Sequence, residues 1–348
     1  MSALNVSYIS YPLTLKHTFN LTHGKRNTTP CVLLKLECDG YVSYGEASLP
    51  PYLKETPDSV ISYFENINWN RFNKNNPLDF IDYLNSQEKI NYPALAAIDM
   101  AIHDLFGKIS GLAVHEILNI PNKISPLLSY TISYEEDENI LMEKIKEAEP
   151  FKQIKLKLGT AHDKSFVEFV LKHTNKKFFV DVNEGWKTLF EAVDMCEFLK
   201  EHDCLFVEQP FKKNSYELTL QLKSKNILPV FADETICNLS DLENYHNYFD
   251  GINIKLLKCG GIKNALKMIA FARKMNLKIM MGCMTETSCG IAAASQISTL
   301  CDFADLDGAH LISNNPFKEI SIIEGKIILQ KKSGIGVEKT QSPIPEDF

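Results

Sequence analysis

No stretch of this sequence approaches the ~20 consecutive apolar residues needed to cross a bilayer, so membrane insertion is not expected. Positive charge is not in excess either. Lys and Arg number 37 against 44 Asp and Glu, a formal charge of -7, and no basic stripe dominates any segment, which argues against a nucleic-acid partner. The nine cysteines are odd in number and never spaced CxxC, a usage that fits reduced, buried thiols and neither a disulfide framework nor a zinc site. MSALNVSYISYPLTLKHTF lacks the charged start, apolar centre and small-residue cleavage site of a secretory signal, so a cytoplasmic location is expected. At 348 residues the chain has material for about two domains and a large core.

The pattern along the chain changes once. Cys31 to Ala47 holds two apolar runs around Asp39-Gly40, a dipeptide suited to a tight hairpin turn. Residues 57–119 are helical in character, and YPALAAIDMAIHDLFGKISG is a long apolar-periodic stretch with Gly107 and Gly111 marking its terminus. Strands followed by helices imply an α+β capping domain, residues 1–124. From residue 127, eight short apolar runs (LLSYTIS, QIKLKLG, KFFVDVN, CLFVEQP, LPVFADE, GINIKLL, LKIMMGC and CDFADLD) recur every 23 to 27 residues, with helical patterns between them. That recurrence predicts a parallel (β/α)8 barrel over 125–315. SIIEGKIILQKKSGIGVE reads as one more hairpin, with 316–348 returning to the capping domain.

Barrel enzymes place chemistry at the carboxyl ends of the strands, where this sequence is polar. Asp181, Glu208 and Asp233 end three adjacent strands and would converge as three carboxylates. Hard oxygen ligands with open positions suit Mg²⁺; the alternative is that each acid caps a neighbouring helix. Lys155, Lys157 and Lys255 fall on strands two and six, across the barrel from one another, where a depressed pKa would make a neutral amine base. Simple ion pairing with the acids is the competing explanation. Asp305 and Asp307 alternate onto one face of strand eight.

KLKLG, DVNEGW, VEQP, ADET, INIKLLKCGG and GCMTETS, in this order, resemble the enolase superfamily and its muconate-lactonizing-enzyme-like subgroup. The superfamily's known use of a lysine base with Mg²⁺ to stabilise an enediolate is carried over by that resemblance. It implies one Mg²⁺ per subunit on Asp181, Glu208 and Asp233, with Lys157 and Lys255 as acid and base, serving the (R) and (S) epimers respectively, and Lys155 as electrostatic support that also binds substrate. DLDGA is similar to the dipeptide epimerases, in which such a pair holds the substrate ammonium, implying that role for Asp305 and Asp307. Substrate contacts are further expected from Cys283, Met284 and Thr285 on strand seven and from Thr131 on strand one. FNLTHGKRN (Phe19 to Asn27) reads as a loop, which the resemblance implies reaches from the capping domain over the barrel mouth, and its Arg26 resembles the arginine with which L-Ala-D/L-Glu epimerases grip a glutamate carboxylate.

The resemblance thus implies 1,1-proton transfer at the α-carbon of a dipeptide's C-terminal residue, by a homo-oligomer. Cycloisomerase or o-succinylbenzoate synthase chemistry on the same scaffold is the first alternative, a metal-independent Schiff-base lyase using Lys155 or Lys157 the second, and a noncatalytic scaffold the third.

Overall fold

The computed structural model describes residues 4–21, 24–121, 125–329, 332–340 and 348, with the backbone alone for 19–21 and 24–25. Five strands open the chain: β1 (Asn5–Ser10), β2 (Leu13–Leu21), β3 (Gly24–Thr29), β4 (Cys31–Cys38) and β5 (Tyr41–Ser48). The expected β4–β5 hairpin is present, turning on Asp39 and Gly40, both with positive φ (52° and 80°), as a two-residue hairpin turn requires. β1, β4 and β5 form an antiparallel sheet with β4 in the centre. The near-continuous apolar run of β4 has a physical cause in its position between two cores. Val32, Leu34 and Leu36 face the helices, while Cys31 and Leu33 join the barrel-side core.

Those helices are α1 (Pro57–Glu65), α2 (Pro77–Asn85) and α3 (Tyr92–Ser110). Asn91 caps α3 by accepting from Ala94 N at 3.0 Å, and Gly111 ends it in the left-handed region at φ 67°. Gly107 does not mark the terminus as its sequence position suggested. It lies inside α3, where a Cβ would come within 2.4 Å of the Gly334 backbone, so glycine serves close packing there.

Eight parallel strands follow in sequential order: β6 (Ser129–Ser133), β7 (Gln153–Lys157), β8 (Lys177–Asp181), β9 (Val207–Glu208), β10 (Val230–Ala232), β11 (Gly251–Lys255), β12 (Lys278–Gly282) and β13 (Phe303–Asp305). A parallel bridge between Leu128 and Ala304 closes the sheet into the expected (β/α)8 barrel. Beyond it, β14 (Ile322–Ile323) and β15 (Lys326–Ile327) pair antiparallel, and Ile335 N donates to Asp104 Oδ1 of α3 at 3.0 Å.

Two carboxylates of the N-terminal unit dock onto barrel helices. Asp99 of α3 accepts from Ile262 N at 2.6 Å, where the helix Ile262–Lys274 starts. Glu46 of β5 accepts from Thr287 N and Gly290 N, each at 3.0 Å, at the start of the helix Ser288–Ser298. Both sit where helix dipoles and unpaired N–H groups favour an anion.

Glu46 is also forced close to Glu286. Burial and Glu286 push its carboxyl from 4.5 up to about 8, and burial pushes Glu286 up to about 7. A carboxyl raised on folding favours the fold below its unfolded value and loses that contribution as pH rises through the folded value. Thermal melting is therefore expected to fall as pH climbs from 4.5 toward about 8, with a flatter profile in Glu286→Gln. Identical pH profiles for wild type and variant would refute this assignment.

Candidate active site

Strand alternation builds the site in two layers. Phe179, Phe206 and Phe231 each precede by two residues a carboxylate on the same inward face: Asp181, Glu208 and Asp233. The three rings stack at 4.4 and 4.0 Å between centroids, forming with Met280 an apolar floor under the acids. Above that floor the ligand oxygens of Asp181, Glu208 and Asp233 lie within 4.8 Å of one another, all buried. The helices that follow Asp181 and Asp233 are capped by other side chains, those of Thr188 and Asn238, and the helix that follows Glu208 has no side-chain cap.

The lysines occupy the same layer. Lys155 Nζ, 2% exposed, stands 2.9 Å from both Asp181 Oδ2 and Glu208 Oε2 and 2.8 Å from Asp305 Oδ2. Its approach to Glu208 lacks the alignment of a hydrogen bond, so that oxygen remains a poorly satisfied buried acceptor. Lys157 Nζ donates to Asp181 Oδ2 at 2.7 Å and to Asn183 Oδ1 at 2.9 Å. Lys255, the last residue of β11, donates to Asp233 Oδ2 at 2.7 Å, and Lys258 reaches the other oxygen of Asp233.

The charges follow from that packing. Burial alone would pull Lys155 down, but Asp181, Asp305, Glu208 and Asp233 outweigh it and hold the ammonium well above the usual lysine value. Lys255 is likewise held well above, burial being overcome by Asp233 and Tyr52. Carboxylates outnumber cations around both lysines, and a divalent cation held by the same acids would draw on that negative charge and favour the neutral amine a base needs. Burial favours neutral Asp181, yet Lys155 and Lys157 bring it to about 2, whereas burial and Asp181 push Glu208 up to about 7. Three buried oxygen-donor side chains, one so strained toward protonation, fit a hard divalent cation with open positions.

A cleft of about 590 Å³ lies over this layer. Thr131, Lys155, Lys157, Lys255, Cys283, Met284, Thr285, Asp305, Asp307 and Arg26 all line it. Asp305 Oδ1 accepts from Ser129 Oγ at 2.7 Å, and Asp307 Oδ2 from Thr131 N at 2.6 Å. Burial and Asp305 push the Asp307 carboxyl up to about 7. Arg26 Nη2 donates to Thr285 Oγ1 at 3.1 Å. Its segment is not the loop expected from Phe19 to Asn27: β2 and β3 pair antiparallel there, Phe19 opposite Arg26, because backbone pairing extends the hairpin through polar residues. Thr22 and His23 lie outside the described residues.

Asn183, Glu234, Tyr52, Asn253 and Lys258 also belong to the site or its supports, and sequence reasoning gave them no role. Tyr52 comes from the N-terminal unit and lines the cleft, with no motif to announce it. Asn253 Nδ2 donates to Glu208 Oε1 at 2.7 Å, and its place two residues before Lys255 was a usable signal.

Comparison with known proteins agrees with this architecture. Residues 4–119 match the family described as mandelate racemase / muconate lactonizing enzyme, N-terminal domain, and 140–342 match the enolase C-terminal domain-like family. The chain is 40% identical over 338 residues to an L-Ala-D/L-Glu epimerase of Bacteroides thetaiotaomicron, covering 97% of this chain and 88% of the relative. An L-Ala-D/L-amino acid epimerase of a Maribacter strain is 36% identical over 97% of this chain and 100% of its own length. Among solved structures, a dipeptide epimerase of Enterococcus faecalis complexed with Mg and L-Leu-L-Tyr superposes with a TM-score of 0.86 at 26% identity, covering 97% of this chain and 99% of that one. With both family matches in order and a relative this similar along nearly the whole chain, the protein belongs to the mandelate racemase / muconate lactonizing enzyme family of the enolase superfamily.

Proposed function

We propose that this protein is a Mg²⁺-dependent dipeptide epimerase that inverts the α-carbon of the C-terminal residue by 1,1-proton transfer, acting on L-Ala-D/L-Glu-type dipeptides. The observation that carries it is the pair of lysines on β7 and β11, four strands apart, flanking three buried carboxylates in a cleft that also holds Asp305 and Asp307. The functions named for its relatives support the same activity.

Asp181, Glu208 and Asp233 would hold Mg²⁺, which supplies Lewis-acid stabilisation of negative charge on the substrate carboxylate. Lys155, kept protonated by its acidic neighbours, adds fixed positive charge where the enediolate develops, without reorganisation cost. Lys157 takes or returns the α-proton on one face and Lys255 on the other, serving the (R) and (S) epimers. Asp307 and Asp305 bind the substrate ammonium, which relieves the crowding of two buried carboxyls. Arg26 receives an acidic side chain from the C-terminal residue, with Thr131, Cys283, Met284 and Thr285 lining the cleft. Residues 1–124 serve as cap, 125–315 as catalytic barrel and 316–348 as a return to the cap. We place the protein in the cytoplasm as a homo-oligomer; no helix among the described residues is long and apolar enough to cross a membrane.

A dipeptide library screened for α-deuterium uptake in D₂O tests this function. L-Ala-D-Glu and L-Ala-L-Glu are expected to exchange and interconvert, while the N-acetylated dipeptide, lacking the ammonium, turns over about 100-fold or more slowly. Asp307→Asn should narrow that gap. Equal turnover of the acetylated compound, or turnover of muconate in place of dipeptides, would refute the proposal.

A further inference from the structure

The two lysines are supported unequally. Lys255 is tied to Asp233, which Lys258 also binds. Lys157 is tied to Asp181 and, in addition, to a side chain outside the carboxylate triad: Asn183 Oδ1, at 2.9 Å. Asn183 Nδ2 in turn donates to Glu234 Oε1 at 3.1 Å. The ends of this chain fix the orientation of the amide between them. An ammonium only donates, so the carbonyl oxygen must face Lys157, which turns the NH₂ toward the Glu234 acceptor.

The backbone is shaped to deliver that amide. Asn183 and Glu184 both have positive φ, 45° and 64°, directly after Asp181 ends the strand and Val182 leads out of it. Asparagine tolerates the left-handed region better than most residues, and Asn183 N donates to Asp181 Oδ1 at 2.9 Å, closing the turn. A turn of this kind sends the side chain back over the strand end, and Asn183 accordingly lines the cleft beside Lys157 and Glu234.

We infer that Asn183, braced by Glu234, is a positioning residue for Lys157, aiming its amine at one face of the substrate α-carbon. The inference rests on the epimerase function proposed above. It has a consequence that general damage to the site would not reproduce. A base that serves one face can be weakened while the other still removes and returns its own proton, so isotope exchange becomes one-sided.

The test follows α-deuterium uptake by NMR, separately for L-Ala-D-Glu and L-Ala-L-Glu, with Mg²⁺ present in D₂O. Asn183→Gly deletes the amide and accepts the positive φ. It is expected to lower exchange from the D (R) epimer by about 10- to 100-fold while exchange with retention from the L (S) epimer stays within about threefold of wild type. Epimerisation falls in both directions, since either direction needs Lys157. Glu234→Ala, a second route to the same loss, should give the same one-sided pattern, and Glu234→Gln, which keeps the acceptor, should recover most of it. Equal losses for both epimers, or no loss, overturn the positioning role while leaving the proposed function standing. Wild-type protein that exchanges neither epimer overturns the function and the inference together.

Discussion

Lys157→Ala and Lys255→Ala are each expected to lower epimerisation by roughly 10²- to 10⁴-fold, the range a single positioned acid or base contributes. Inversion needs a proton removed on one face and delivered on the other, so losing either lysine stops both directions. Exchange behaves differently. Lys157→Ala should retain α-deuterium uptake from the L (S) epimer through Lys255, and Lys255→Ala should retain uptake from the D (R) epimer through Lys157. The geometry behind this expectation is the separation of the lysines, four strands apart around a closed barrel, each hydrogen-bonded to a different carboxylate at 2.7 Å. Near-wild-type epimerisation by either variant would end the two-base scheme. Symmetric loss of exchange in either variant would end the assignment of faces.

Chelation is the second large effect. EDTA should abolish turnover, with Mg²⁺ restoring it, because the charge developing on the substrate carboxylate would otherwise face buried acids. A readout independent of activity is available. A ligand that binds only the folded state raises its stability by mass action, so added Mg²⁺ should raise the melting temperature of wild type. Asp233→Asn, which removes one of three carboxylates gathered within 4.8 Å, should blunt that rise. Borohydride should not trap substrate on the protein. Full activity in EDTA with borohydride trapping would replace the epimerase with a Schiff-base lyase on Lys155 or Lys157.

Much of this site was legible because strand-end chemistry is local. Most apolar runs of the barrel carry polar residues at or near their ends, and side chains alternate with period two, so Lys155 with Lys157 and Asp305 with Asp307 could be placed on shared faces from the sequence. The same rule would have exposed the aromatic floor, since Phe179, Phe206 and Phe231 stand two residues before the three acids. It went unread because phenylalanine in a strand carries no chemistry of its own.

Other features depend on segments far apart in the chain. Gly107 resembled a helix stop until Gly334 was found packed against it, 227 positions later. Glu46 was an ordinary strand residue until it met the start of a barrel helix and a second buried glutamate. The Phe19–Asn27 segment reads as loop by composition, yet backbone hydrogen bonds, indifferent to polarity, make it a hairpin whose Arg26 reaches Thr285 across 259 positions. Asn183 and Glu234 sat in plain view in DVNEGW and ADET, but their link to each other spans two strands.

The sequence by itself determined the eight-strand recurrence, the three acids, the lysines and the acidic pair, because these follow from local periodicity and from residue type at strand ends. Only the tertiary structure decided how the charges balance. It put Lys155 against three carboxylates at once and Lys255 against Asp233, and it gave Lys157 a support through Asn183 that Lys255 does not share. Electrostatic balance depends on every charge within a few ångströms, and those neighbours come from different strands whose spacing in sequence says nothing of their distance in space.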